Sequence, residues 1–134
     1  TQQFSHGPKW QTYAADDSDV LSLPSRRIET QSQADIRLVS LFGHTNGHCG
    51  VAILADDGWL LHVGDAYYLR DELATDDHPI DQLASLRADN DNVRRQSLDR
   101  LRELTKRTDL NLTYFGYHDV SELPPGVPSL NDVA

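Results

Sequence analysis

The sequence predicts a mixed α/β (α+β) domain, strands first and helices after, on three observations. Residues 36–63 hold three apolar runs, Ile36–Phe42, Cys49–Leu54 and Trp59–Val63, separated by glycine-bearing polar turns. Residues 81–107 change to helical spacing, with Leu98, Leu101 and Leu104 recurring every three residues. A last strand-like run, Asn111–Tyr117, follows the helices. At 134 residues the chain fits one domain with a modest core.

In chain order, residues 1–35 are polar and interrupted by Gly7, Pro8 and Pro24, so a long irregular lead-in is expected rather than a domain of its own. Within it, Trp10 and Tyr13 are expected to pack on the body, and Val20-Leu21-Ser22-Leu23 to form a short strand. The second and third apolar runs meet at Asp56-Asp57-Gly58, a turn that tolerates positive φ, which makes a β-hairpin. Leu69–His78 is acidic and reads as loop, with Pro79 as punctuation. Leu83 and Leu86 suggest a short helix. A second helix begins near Asp89–Asn92, where Asp and Asn can cap, and Val93, Leu98, Leu101 and Leu104 line its inner side. Its arginines, Arg94 to Arg107, read as a solvated face with Asp and Glu partners. Residues 124–134, proline-rich, are expected to be a loose tail.

Composition excludes some functions. With 12 basic and 21 acidic residues the formal charge is −9, and no Lys/Arg-rich run offers the patch that phosphate backbones need, so nucleic acid is not an expected partner. No apolar run approaches the ~20 residues of a membrane span, and no signal peptide is visible. The single cysteine, Cys49, rules out an internal disulfide and suits a reducing cytoplasm; it reads as a small buried thiol. The chain starts at Thr1 and contains no Met, so it is expected to be a processed or cut piece of something longer.

Three polar residues stand beside glycines or at strand ends: His44 after Gly43, Asp65 after Gly64, and His118 after the last strand. Strands of one sheet would bring them together. Imidazole and carboxylate are the donors a divalent ion such as zinc takes, and one carboxylate can bridge two ions. Each residue also has a plain reading: a loop histidine bonded to backbone, a Gly-Asp turn, and a helix N-cap at His118-Asp119. His62 reads as a packed histidine, and His6 and His78 as solvated.

The segments GHTNGHCG, GWLLHVGDAYY and YFGYHD, in that order, resemble the metallo-β-lactamase superfamily of metal-dependent hydrolases. SHGPKWQTY and RLRELTKR extend the likeness towards a bacterial subgroup, so that it covers most of the chain. The resemblance implies an αββα sandwich of which this chain supplies the C-terminal sheet and helices, as a single but partial domain. It implies zinc, one or two ions in the complete protein, with iron as the alternative. His44 would be a ligand of the first ion, Asp65 the catalytic bridging carboxylate, and His118 a ligand of the second. His48 would brace the loop, while Tyr67 and Tyr68 are candidates to line a substrate pocket or simply to pack. The family's His-x-His-x-Asp-His element is absent from the sequence. Each ion is therefore left with two of the three protein ligands a catalytic site needs. The implied function is part of a hydrolase whose metal-bound hydroxide attacks a small-molecule ester, thioester, lactone or amide, with this chain inactive alone. The missing half, or a second copy, would cover the exposed sheet face. The alternatives are a non-catalytic module for binding or dimerisation and an iron-dependent oxygenase of the same fold.

Overall fold

The computed structural model describes residues 4–13 and 17–122; the expected tail at 124–134 lies outside them. One six-stranded sheet runs in sequence order: β1 (Ser18–Val20), β2 (Leu23–Arg27), β3 (Ile36–Ser40), β4 (Cys49–Ala55), β5 (Gly58–His62) and β6 (Leu112–Phe115). Neighbours are antiparallel up to β5, and β6 joins β5 in parallel, opposite Trp59 to His62. That parallel pair requires a long crossover, and helices α1 (Asp81–Arg87) and α2 (Asp91–Thr105) provide it.

The alternation along the strands gives the sheet two unlike faces. Leu23, Val39, Ala52 and Leu61 are sealed against Leu98, Leu101 and Leu104 of α2, together with Leu41 and Val63. The intervening residues Ile36, Leu38, Val51, Ile53, Leu60 and Phe115 fall on the other face, in register with one another, and are only half-buried. The mixed sheet with helices against one face is the α+β class the sequence predicts.

Several local expectations change. The lead-in expected at 1–35 contains two strands: Val20 pairs with Leu23 across a two-residue turn, and Leu21 and Ser22 take φ of 55° and 62°. A single strand over Val20–Leu23 is therefore replaced by a hairpin corner, in which burying Leu21 offsets its left-handed backbone. Trp10 does not pack on the body: it is 74% exposed and its ring meets Phe4 edge-on. In α1 the buried residue is Ala84, while Leu83 and Leu86 face outward at 42% and 85% exposure.

Helix α2 starts where expected, with the Asn90 side chain accepting the Val93 N–H. Arg94, however, is sealed in the interior. Its guanidinium donates to Asp81 and Asp91, and Arg95 reaches the same two carboxylates. Arg102 is likewise turned in, donating to the Glu72 and Thr75 carbonyls across 3.1, 2.8 and 2.6 Å. Arg95, Lys106 and Arg107 keep to the solvated face with their acidic partners, and Arg100 is exposed as well. The segment 69–78 is not all loop: Arg70–Leu73 forms a 3-10 turn around the buried Glu72. Cys49 is half-exposed rather than sealed, and His78 is half-buried.

Candidate metal centre

The loop between β3 and β4 is shaped by Gly43, whose φ of +120° brings it against the start of α2. A Cβ there would lie 2.0 Å from the Arg94 backbone nitrogen, so only glycine fits. Gly43 and His44 offer their carbonyls to the N–H groups of Asn90 (3.0 Å) and Asp89 (3.1 Å). The Asp89 carboxylate accepts the Asn46 N–H at 2.9 Å, and Ser97 donates to the Phe42 carbonyl at 2.7 Å. The loop is thus tied at four points to α2 and the two residues before it, one of them the His44 carbonyl.

At the end of β5 the chain turns at Gly64, φ +59°, and presents Asp65. His48 fixes that corner. Its Nδ1 lies 2.7 Å from the Leu41 carbonyl, and its Nε2 lies 3.0 Å from the Asp65 backbone nitrogen. The amide can only donate, so Nε2 accepts and Nδ1 carries the proton. The ring is therefore neutral. Burial, more than any other influence, holds its pKa below the ordinary histidine value. With both nitrogens engaged, His48 has no lone pair left for a metal. A Cβ on Gly64 would lie 2.7 Å from that same Nε2, which makes glycine obligatory beside the brace.

β6 ends at Phe115, three residues before His118, which therefore lies in the following loop and not at the strand end. The Tyr117 N–H donates to the Gly64 carbonyl at 3.1 Å and brings His118 across to Asp65. Asp119 steadies the loop by accepting the Arg70 N–H at 2.8 Å and the Ser121 N–H at 2.9 Å. The result is a carboxylate gripped from two sides. His44 Nε2 stands 3.3 Å from one Asp65 oxygen, and His118 Nε2 3.1 Å from the other. The side chains are 19%, 31% and 44% exposed for His44, Asp65 and His118, so the group lies at the surface of a cleft.

Of the two candidate tyrosines, Tyr68 is the one beside this group. Its ring meets His118 edge-on at 4.8 Å and His44 at 6.2 Å. Tyr67 is committed to the interior, its hydroxyl donating to Glu122 at 2.7 Å, and burial followed by that carboxylate raises its pKa. Glu122 also receives the Arg70 guanidinium at 2.7 Å and the Gly116 N–H at 2.6 Å, which holds the His118 loop in place. Glu72 does the same for Tyr68, accepting the Tyr68 and Leu69 N–H groups at 2.7 and 2.9 Å. Sequence reasoning missed Glu72, Asp89 and Glu122. Only Asp89, beside the capping Asn90, carried any local signal.

In kind, this donor set suits a divalent ion, since imidazole and carboxylate are donors such ions take. In number it falls short. Among the described residues no group of three or more His, Cys, Asp or Glu side chains is arranged to hold one ion. Each Asp65 oxygen meets one imidazole, and two protein donors per ion are fewer than a catalytic site uses.

No family model matches the chain. It is 37% identical over 71 residues to a probable metallo-hydrolase of Mycobacterium tuberculosis and to its counterpart in Mycobacterium bovis. That stretch is 53% of this chain and 23% of each mycobacterial protein, so the chain matches about a quarter of their length. Among solved structures, an N-acyl homoserine lactone hydrolase with N-hexanoyl-L-homoserine bound at its metal centre aligns with a TM-score of 0.49 and 20% identity, over 65% of this chain and 32% of that one. A quorum-quenching N-acyl homoserine lactone lactonase aligns equally, over 33% of its length.

Proposed function

We propose that this chain, which is related to metallo-hydrolases of the metallo-β-lactamase superfamily, forms part of a metal-dependent hydrolase and contributes His44, Asp65 and His118 to its metal centre. The observation that carries the reading is the Asp65 carboxylate held between two imidazole Nε2 atoms at 3.3 and 3.1 Å. Asp65, with His44 at one oxygen and His118 at the other, would be among the residues that hold the ion. Zinc is the ion proposed, since neutral imidazole with carboxylate is a donor set it favours. When bound, divalent ions polarise a carbonyl and supply a nucleophile at neutral pH.

The chain's own part is to hold these donors still. His48 fixes the backbone of Asp65, accepting its N–H as a neutral ring. The Asp89 and Asn90 amides hold His44, while Glu122 and Asp119 hold the loop that carries His118. Tyr68 walls the group on one side, its ring edge-on to both imidazoles. The substrate class is a small molecule with a hydrolysable ester, thioester, lactone or amide bond. The remaining donors come from outside this chain, from the rest of a longer protein or from a partner, and residues 1–134 act as one unit of that enzyme. The half-buried outer face of the sheet is where such a unit would seat. No helix among the described residues is long and apolar enough to cross a membrane. A reducing cytoplasm is the location we propose, which a single cysteine suits.

The test is zinc bound per chain by equilibrium dialysis over a range of free zinc. Two donors per ion predict a weak site, filled only well above micromolar zinc, and lost in Asp65→Asn, His44→Ala and His118→Ala. Uptake unchanged by all three substitutions would sink the assignment.

A further inference from the structure

Beside the candidate metal centre lies a second feature, a cleft of about 330 Å³ lined by Tyr68, Leu69, Ile80, Leu83, Arg87 and His118. Ile80, Leu83 and Arg87 recur at the three- and four-residue spacing of one helix face, so α1 supplies one wall as a stripe. The opposite wall is Tyr68 with Leu69, and His118 is shared with the metal centre. Two of these apolar side chains are more exposed than packing alone explains, Leu69 at 39% and Leu83 at 42%. The cleft is of the size that small-ligand sites occupy.

Arg87 differs from the arginines around it. Arg94, Arg95 and Arg102 are all tied to carboxylates, and Arg70 to Glu122. The Arg87 guanidinium has no ion pair or hydrogen bond among the described residues. In a chain of net charge −9, a guanidinium with no carboxylate partner among the described residues, at the rim of an apolar cleft, is placed to meet an anion. A guanidinium offers a flat, forked donor that matches a carboxylate with two parallel hydrogen bonds.

We infer that this cleft is the specificity pocket for the non-reacting part of the substrate, and that the part it takes is an aliphatic body ending in a carboxylate. The aliphatic portion lies between Tyr68–Leu69 and Ile80–Leu83, the carboxylate meets Arg87, and the scissile bond is left at the His118 end, beside Asp65. The inference rests on the proposed hydrolase reading for what happens at that end, but the pocket's ligand chemistry is testable without turnover.

The experiment follows the methyl signals of Leu69, Ile80 and Leu83 by NMR while hexanoate, and separately hexanol, is added to the whole chain. The expected result is saturable shifts at these methyls with both ligands, hexanoate binding more tightly. Arg87→Gln, at an exposed site with no partner to lose among the described residues, should weaken hexanoate about fivefold and leave hexanol unchanged, the usual strength of a charged hydrogen bond discounted for solvent screening. Absence of saturable shifts, or equal hexanoate affinity in wild type and Arg87→Gln, would overturn the inference. Zinc added to the same sample separates the two readings. Zinc-dependent changes at the His44 and His118 rings without hexanoate binding would reject the pocket alone, and their absence would reject the metal centre.

Discussion

Substituting Gly64 by alanine tests the corner that presents Asp65, and its cost can be worked from the structure. Gly64 has φ +59°, and an alanine there takes the left-handed backbone at ~1–2 kcal/mol. The new Cβ would also lie 2.7 Å from His48 Nε2 and 3.4 Å from Cε1. The ring must withdraw, which removes the bond from the Asp65 N–H, worth ~1 kcal/mol net. Gly64→Ala should therefore destabilise by ~2–3 kcal/mol. In a His48→Ala background the obstacle is gone, and the same change should cost only the ~1–2 kcal/mol of the backbone term. Urea unfolding of the four proteins gives the cycle directly, each midpoint shift converted through a shared m-value. A coupling of ~1 kcal/mol confirms that His48 and Gly64 are fitted to one another. Equal costs in the two backgrounds would show that His48 does not brace this corner, and the positioning of Asp65 would need another explanation.

Other predictions follow from the same contacts. Gly43→Ala sets a Cβ 2.0 and 2.4 Å from Arg94 backbone atoms, which cannot yield without moving α2; the cost should reach or exceed the ~3 kcal/mol usual for overpacking, visible as loss of a cooperative urea transition. Arg94→Met leaves Asp81 and Asp91 facing each other with only Arg95 between them, and should cost ~3 kcal/mol by the same assay, against near zero for Lys106→Met at the surface. His48 titrates below its ordinary value of 6.5 in the folded chain, chiefly through burial. Its contribution to stability is therefore whole above pH 6.5 and is lost as pH falls through the lower folded value. Unfolding free energies measured at pH 7.5 and 5 should differ more in the wild type than in His48→Ala, and an identical pH dependence would show that the ring is not held neutral.

How much of this was legible in the sequence depends on whether the deciding contact is local. The helix α2 was readable because Leu98, Leu101 and Leu104 repeat on one face and Asn90 is a capping residue in the right place. The hairpin β4–β5 was readable from its Asp-Asp-Gly turn. His44 and Asp65 stood out because each follows a glycine with positive φ. What failed was non-local. Nothing near Arg94 says that Asp81 will bury it, so its charge read as solvated. The corner at Leu21-Ser22 has none of the Gly, Asn or Asp that announce such turns, and only the core it fills explains it. Leu83 and Leu86 read as an inner face because periodicity over seven residues cannot tell which way a helix is rolled. Glu122 gathers Tyr67, Arg70 and Gly116 from 55, 52 and 6 residues away, and no spacing rule reaches that far.

The central claim is that Asp65 bridges donors from two separate loops and that these, rather than the chain's other histidines, are its metal ligands. Zinc titration read on the individual histidine ring signals tests it most directly. The account predicts that His44 and His118 respond together in the submillimolar to millimolar range, that His48 keeps its protonated Nδ1 and does not move, and that Asp65→Asn abolishes both responses. Zinc taken up at His6 or His78 instead, or by His48 with displacement of the Asp65 amide, would contradict it.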